Sequence, residues 1–250
     1  MRRRKYRFLM LVKNGAAEKR PSNGLCSASI IVLLQKILVP ITNDSAVRRA
    51  LRLSKWNMAM MRGDEEKAIQ ILDMVRDINR SDQDYDRPMM VAAKLGLVSV
   101  VQYLLDRGAK VTCPENEYGE VDDEIPLHTA AEGGYYEIAK MLIEHGSPIS
   151  PPPYGEEATP LYYAAVEGHL SVARLLLRYG ASVWESEYDD PAFAIAATNN
   201  DAAMVKLFLK YGADPDMLGS NYETPLFYAT RKGAVKTMKV LLEAGANVHW

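Results

Sequence analysis

The stretch Ile125-Pro126-Leu127-His128-Thr129-Ala130-Ala131-Glu132-Gly133-Gly134 decides how the rest of the chain is read. Proline holds φ near the helical value and lacks an N–H, so Pro126 suits a first helical turn, where that N–H would have no partner. The small pair Ala130-Ala131 lets a second helix approach closely. Gly134, three residues beyond the pair, supplies the left-handed geometry that a short turn between helices needs. The second helix is then the apolar run Ala139-Lys140-Met141-Leu142-Ile143, and Gly146 ends it as a C-terminal cap.

The same two segments recur. Arg87-Pro88-Met89-Met90-Val91-Ala92-Ala93 precedes the copy just described. Thr159-Pro160-Leu161-Tyr162-Tyr163-Ala164-Ala165, Pro191-Ala192-Phe193-Ala194-Ile195-Ala196-Ala197 and Thr224-Pro225-Leu226-Phe227-Tyr228-Ala229-Thr230 follow it. The closing glycines are Gly108, Gly146, Gly180, Gly212 and Gly245, at spacings of 38, 34, 32 and 33 residues. The turn position holds Gly96, Gly134, Gly168, Asn200 and Gly233, and asparagine is the best replacement for glycine there. A degenerate copy leads the series, Trp56-Asn57-Met58-Ala59-Met60-Met61-Arg62-Gly63, with Val75 in place of its closing glycine.

A period of this kind, with Pro-Leu-His-Thr-Ala-Ala as its best copy, resembles the Thr-Pro-Leu-His-x-Ala signature of the ankyrin-repeat family. The resemblance implies an all-α solenoid of stacked helix-turn-helix units with β-hairpin fingers between them. Six units are expected, at 54–81, 82–114, 115–152, 153–186, 187–218 and 219–250, behind a basic N-terminal arm at 1–53 with a capping helix. End units are atypical in such stacks, which accounts for the degenerate first copy.

Charge divides the chain along the same boundary. Residues 1–55 hold 13 Lys or Arg against two acids, a net +11, whereas residues 56–250 hold 17 against 30, a net −13. An acidic body opposes nucleic-acid binding and favours a protein partner with a basic surface. Two cysteines, Cys26 and Cys113, make neither a disulfide framework nor a zinc site, so an intracellular location in cytoplasm or nucleus is expected. Residues 30–41 are apolar but interrupted by Gln35-Lys36 and Pro40, short of the roughly 20 residues a membrane span requires.

No catalytic constellation is visible. His128 stands at the signature position, His169 follows a turn glycine, His145 precedes a closing glycine and His249 is next to last, so each has a place in the repeat. No Ser or Cys is spaced to pair with them and no phosphate-binding loop is present, so neither enzymatic activity nor a cofactor or small-molecule substrate is expected. Residues 25–56, with Leu33-Leu34, Ile37-Leu38 and Leu51-Arg52-Leu53, are similar to an F-box but lack its opening Leu-Pro. That likeness implies an alternative role as substrate-recognition subunit of a ubiquitin ligase.

Binding residues are sought where stacking aligns equivalent positions. Tyr85, Tyr118, Tyr154, Tyr188 and Tyr222 recur once per finger at spacings of 33, 36, 34 and 34, each beside acids. Tyrosine offers large contact area at little rotamer entropy. Near the turns, Lys94, Leu95, Glu132, Val166, Glu167, Thr198, Arg231 and Lys232 are expected to face the concave groove. The chain is thus read as an interaction scaffold or adaptor. Its last unit keeps apolar Met238, Leu241 and Leu242 beside Trp250, from which self-association through the C-terminal end is expected.

Overall fold

The computed structural model describes residues 55–56, 58–75, 78–79, 87–112, 125–150, 158–183, 191–219 and 222–249. All but Lys55 belong to the unit Trp56–Trp250. The arm, the F-box-like stretch up to residue 54, Trp250, most of the four earlier fingers and residues 220–221 of the last lie outside the described residues.

The described residues form eleven helices of seven or more residues. They are α1 (Glu65–Asp73), α2 (Pro88–Lys94), α3 (Val98–Asp106), α4 (Pro126–Glu132), α5 (Tyr136–Glu144), α6 (Pro160–Val166), α7 (Leu170–Arg178), α8 (Ala192–Thr198), α9 (Ala202–Lys210), α10 (Pro225–Lys232) and α11 (Val235–Glu243). The short helices from α2 to α10 pack in one row, each on the next, and the longer helices from α1 to α11 pack in a second row behind them. Helical residues 58–61 stand before α1 as the inner helix of the first unit. Among the described residues there are helices and turns but no strands. Four of the expected β-hairpins fall largely on undescribed finger residues, whereas the last finger, described except for 220 and 221, consists of turns and holds no strand.

Local chemistry explains the starts. Thr159 Oγ1 accepts from Tyr162 N at 3.2 Å and Thr224 Oγ1 accepts from Phe227 N at 3.3 Å, so each threonine caps the helix that its proline opens. In α4 the arrangement is reversed, since Nδ1 of His128 accepts from Ile125 N at 3.1 Å. The fifth unit is shifted by one residue: Pro191 occupies the cap and Ala192 the first helical position.

Between the rows lies one continuous core. The alanine pairs 92–93, 130–131, 164–165 and 196–197 are fully buried, as are Leu104, Leu142, Leu176 and Phe208 in the outer row. Burying a Leu or Phe side chain contributes about 1.5–3 kcal/mol, and no unit supplies both walls of its own core. Phe193 replaces the signature leucine in α8 and meets Phe208 edge to face, with ring centres 6.0 Å apart. One polar residue breaks the outer row's inward pattern of Val100, Ile138, Val172 and Met204. It is Thr237, fully buried with its hydroxyl lacking a hydrogen-bond partner.

Candidate partner-binding surface

Turn ends of neighbouring units are joined by side chains at or beside the turn position. His169 Nε2 lies 2.9 Å from the Glu132 carbonyl, one unit earlier. A carbonyl only accepts, so His169 carries its proton on Nε2. The His169 ring takes the space beside Gly134, where an added Cβ would stand 2.5 Å from Nδ1. Tyr135 lies against Gly96 in the same way, 2.6 Å from where a Cβ would be. Further along, Asn199 Nδ2 donates to the Val166 carbonyl at 3.2 Å, and Asn200 Oδ1 accepts from Thr237 N at 3.3 Å. Asn200 itself has φ 58°, the left-handed turn its position demands.

These bonds hold a row of exposed inner-helix ends. Lys94, Leu95, Glu132, Glu167, Arg231 and Lys232 are exposed, while Val166 and Thr198 are half-buried. Thr198 Oγ1 donates back to the Ala194 carbonyl at 2.9 Å. Arg231 is tied down: Nη1 lies 3.2 Å from Glu223 Oε2, and the guanidinium sits over the rings of Tyr228 and Phe227 at 5.2 and 5.8 Å. Tyr162 and Tyr163, half-buried and edge to face, add aromatic surface to the middle of the row, and Phe227 adds more at its end.

Of the finger tyrosines, Tyr222 is described and the other four, Tyr85, Tyr118, Tyr154 and Tyr188, lie outside the described residues. Tyr222 is 79% exposed, has φ 57°, and its N–H donates to the Gly219 carbonyl at 3.0 Å. A tyrosine in this backbone region is uncommon, so the tight turn presents its ring outward at some conformational cost.

Two sets of contacts escaped the sequence reading. Val75 leaves α1 without a glycine cap, and Arg107 of the next unit supplies what is missing. Its Nη1 donates to the Leu72 carbonyl at 2.9 Å and its Nη2 to the Val75 carbonyl at 3.2 Å. The Arg107 guanidinium also lies over the Tyr103 ring, whose hydroxyl bonds Asp73. Removal from water, and then the Asp73 carboxylate, raise the Tyr103 hydroxyl above its ordinary pKa. At the finger bases, Asn79 Oδ1 accepts from Lys110 N and Asp216 Oδ1 accepts from Asn247 N, both at 2.7 Å. Asn79 and Asp216 each stand four residues past the closing position of their unit, which is the signal that alignment of the copies would have exposed.

The histidines serve the backbone. His128 accepts at its helix start, His169 donates across units, and His145 Nδ1 donates to the Met141 carbonyl at 2.8 Å. Among the described residues no group of three or more His, Cys, Asp or Glu is placed to hold a metal ion, and no helix is long and apolar enough to cross a membrane.

Stacked two-helix units joined through their turns define a repeat solenoid, a class that works by presenting aligned side chains to other proteins. The chain belongs to the ankyrin-repeat family: residues 113–187 and 185–249 match the family model for ankyrin repeats (3 copies), and residues 84–116 that for a single ankyrin repeat. The fold is similar to the crystal structure of the human ASB11 ankyrin repeat domain, with a TM-score of 0.69 at 23% identity, covering 78% of this chain and 85% of that one. In sequence the chain is 28% identical over 219 residues to palmitoyltransferase AKR1 of Lachancea kluyveri, covering 83% of this chain and 29% of that protein. It is 36% identical over 138 residues to SMC5-SMC6 complex localization factor protein 1 of Homo sapiens, covering 50% of this chain and 13% of that protein. The chain therefore spans less than a third of the length of either relative.

Proposed function

We propose that this chain is a non-catalytic adaptor that holds a protein partner along its inner-helix ends and the adjoining fingers. The observation that carries the reading is the row itself. Exposed Glu132, Glu167 and Lys232 project from helices whose turns are tied unit to unit by His169, Asn199 and Asn200, and exposed Lys94 from one whose turn is packed by Tyr135. A row held this way loses little conformational freedom on binding. Glu132 and Glu167 in its middle suit a partner with a basic surface, with Tyr162, Tyr163 and Phe227 as contact area and charge setting the approach. Tyr222, and with it Tyr85, Tyr118, Tyr154 and Tyr188, would anchor the partner at the finger edge, and Arg231 would contribute through its ring-stacked guanidinium. The use of three histidines to hold backbone supports a role without catalysis. The reading places the chain in cytoplasm or nucleus, where Cys26 and Cys113 stay reduced.

Affinity capture with the full chain tests this. Partners recovered by the parent should be lost by E132K/E167K and reduced by Y222A, with melting temperature unchanged; an identical captured set from all three sinks the reading. Self-association through the C-terminal end is favoured by Leu242, 45% exposed where its equivalents Leu105 and Leu177 are 7% and 4% exposed. Light scattering over a concentration series should show association of the parent and not of M238K/L242Q. A monomeric parent would dismiss it.

A further inference from the structure

The outer helices carry a second pattern, on the face away from the core. Counting back from the glycine that closes each outer helix, the residues two, six and nine before it share one stripe, because steps of three and four return to the same side. In α7 this stripe holds Arg174 and Arg178, in α9 Lys206 and Lys210, and in α11 Lys236 and Lys239. All six are exposed, and among the described residues no carboxylate pairs with any of them. Because α7, α9 and α11 pack side by side, their stripes merge into one strip spanning two helix spacings, about 16–20 Å.

This strip has the opposite sign to the body that carries it. It is also bounded. In the preceding unit the same stripe holds Glu137 and Glu144 around Lys140, which lies 4.0 Å from Glu144, and the unit before that has Asp106. In the strip's last row, on α11, Glu243 stands where Arg178 and Lys210 stand in their units, which confines the cations there to Lys236 and Lys239. Like charges four residues apart on a helix oppose its stability, so folding gives no reason for Arg174 with Arg178, or for Lys206 with Lys210.

We infer that this strip is a second docking surface, on the face opposite the groove, for a short acidic segment of a protein partner. The boundaries select the occupant. A nucleic-acid duplex or an anionic bilayer lying across the strip runs on over Glu144 and Glu243, whereas a segment about 20 Å long ends with the cations. That length corresponds to roughly 13 residues of helix or about six extended residues. Successive rows of the strip lie about 8–10 Å apart, so acids at every second helical turn, or at every third extended residue, meet a row each. The groove reading is neither needed for this inference nor altered by it.

The test uses the full chain and a labelled glutamate-rich peptide of about 13 residues, followed by fluorescence anisotropy. R174E/K206E/K239E should weaken binding by roughly tenfold or more at physiological salt, while K67E, the same kind of reversal at an exposed lysine of α1, leaves it unchanged. The milder K206Q/K239Q should weaken it less, and serves if the triple variant loses its fold. Because the basic arm also attracts acids, carbodiimide cross-linking with mass spectrometry locates the peptide. Cross-links at Lys206, Lys210, Lys236 and Lys239 support the strip. Cross-links confined to Lys5, Lys13, Lys19 and Lys36 of the arm, or affinity unmoved by the substitutions, overturn it. So does tighter binding of duplex DNA or phosphatidylserine vesicles through the same residues.

Discussion

His169 and Gly134 occupy a single space between adjacent units: the imidazole stands where a side chain on the glycine would be, and its Nε2 reaches the Glu132 carbonyl at 2.9 Å. The glycine is thus required twice, once for its φ of 70° and once for the neighbour's ring.

Gly134→Ala should therefore destabilise the domain by about 2 kcal/mol or more, combining a left-handed alanine with overpacking. Urea denaturation measures this. Adding His169→Ala should cost less in the Gly134→Ala background than in the parent, because the clash has gone with the ring. Additive effects would show that the ring and the glycine do not share the space.

The Tyr103 cluster makes the first unit sensitive to alkali. Its hydroxyl is raised above 10.0, so the stabilisation it gives is present below the ordinary tyrosine value and is lost as pH rises through the elevated folded value. Hydrogen exchange in Glu65–Asp73 should accelerate across that window, and Tyr103→Phe should remove the pH-dependent component. Exchange that is flat with pH in the parent would count against the bond to Asp73.

Thr237→Val should stabilise the last unit by about 1 kcal/mol, since it replaces a buried hydroxyl lacking a partner with a methyl of the same shape. Thermal melting decides it. A loss of stability would mean that the hydroxyl is satisfied in solution.

Native-state hydrogen exchange should protect Ala164–Leu177 best and the two end units least. Leu177 in the middle of the stack is buried whereas its equivalent Leu242 in the last unit is 45% exposed, so fewer contacts oppose local opening there. Equal protection along the whole stack would contradict this account.

The repeat, the helix starts at proline and the left-handed turn at Asn200 were legible in the order of residues, because each depends on backbone preferences acting within a few positions. The place of the histidines within the unit was legible for the same reason. What His169 and Arg107 do was not. Each acts on a carbonyl 32 to 37 residues earlier, a distance that only stacking closes. The tethering of Arg231 by Glu223 likewise depends on side-chain packing that spacing does not convey. The basic strip shows the same division. Its six cations were in plain view within an acidic body, yet net charge sums over all directions. Only the tertiary structure, by turning the outer helices to a common register and packing them side by side, places those charges on one face.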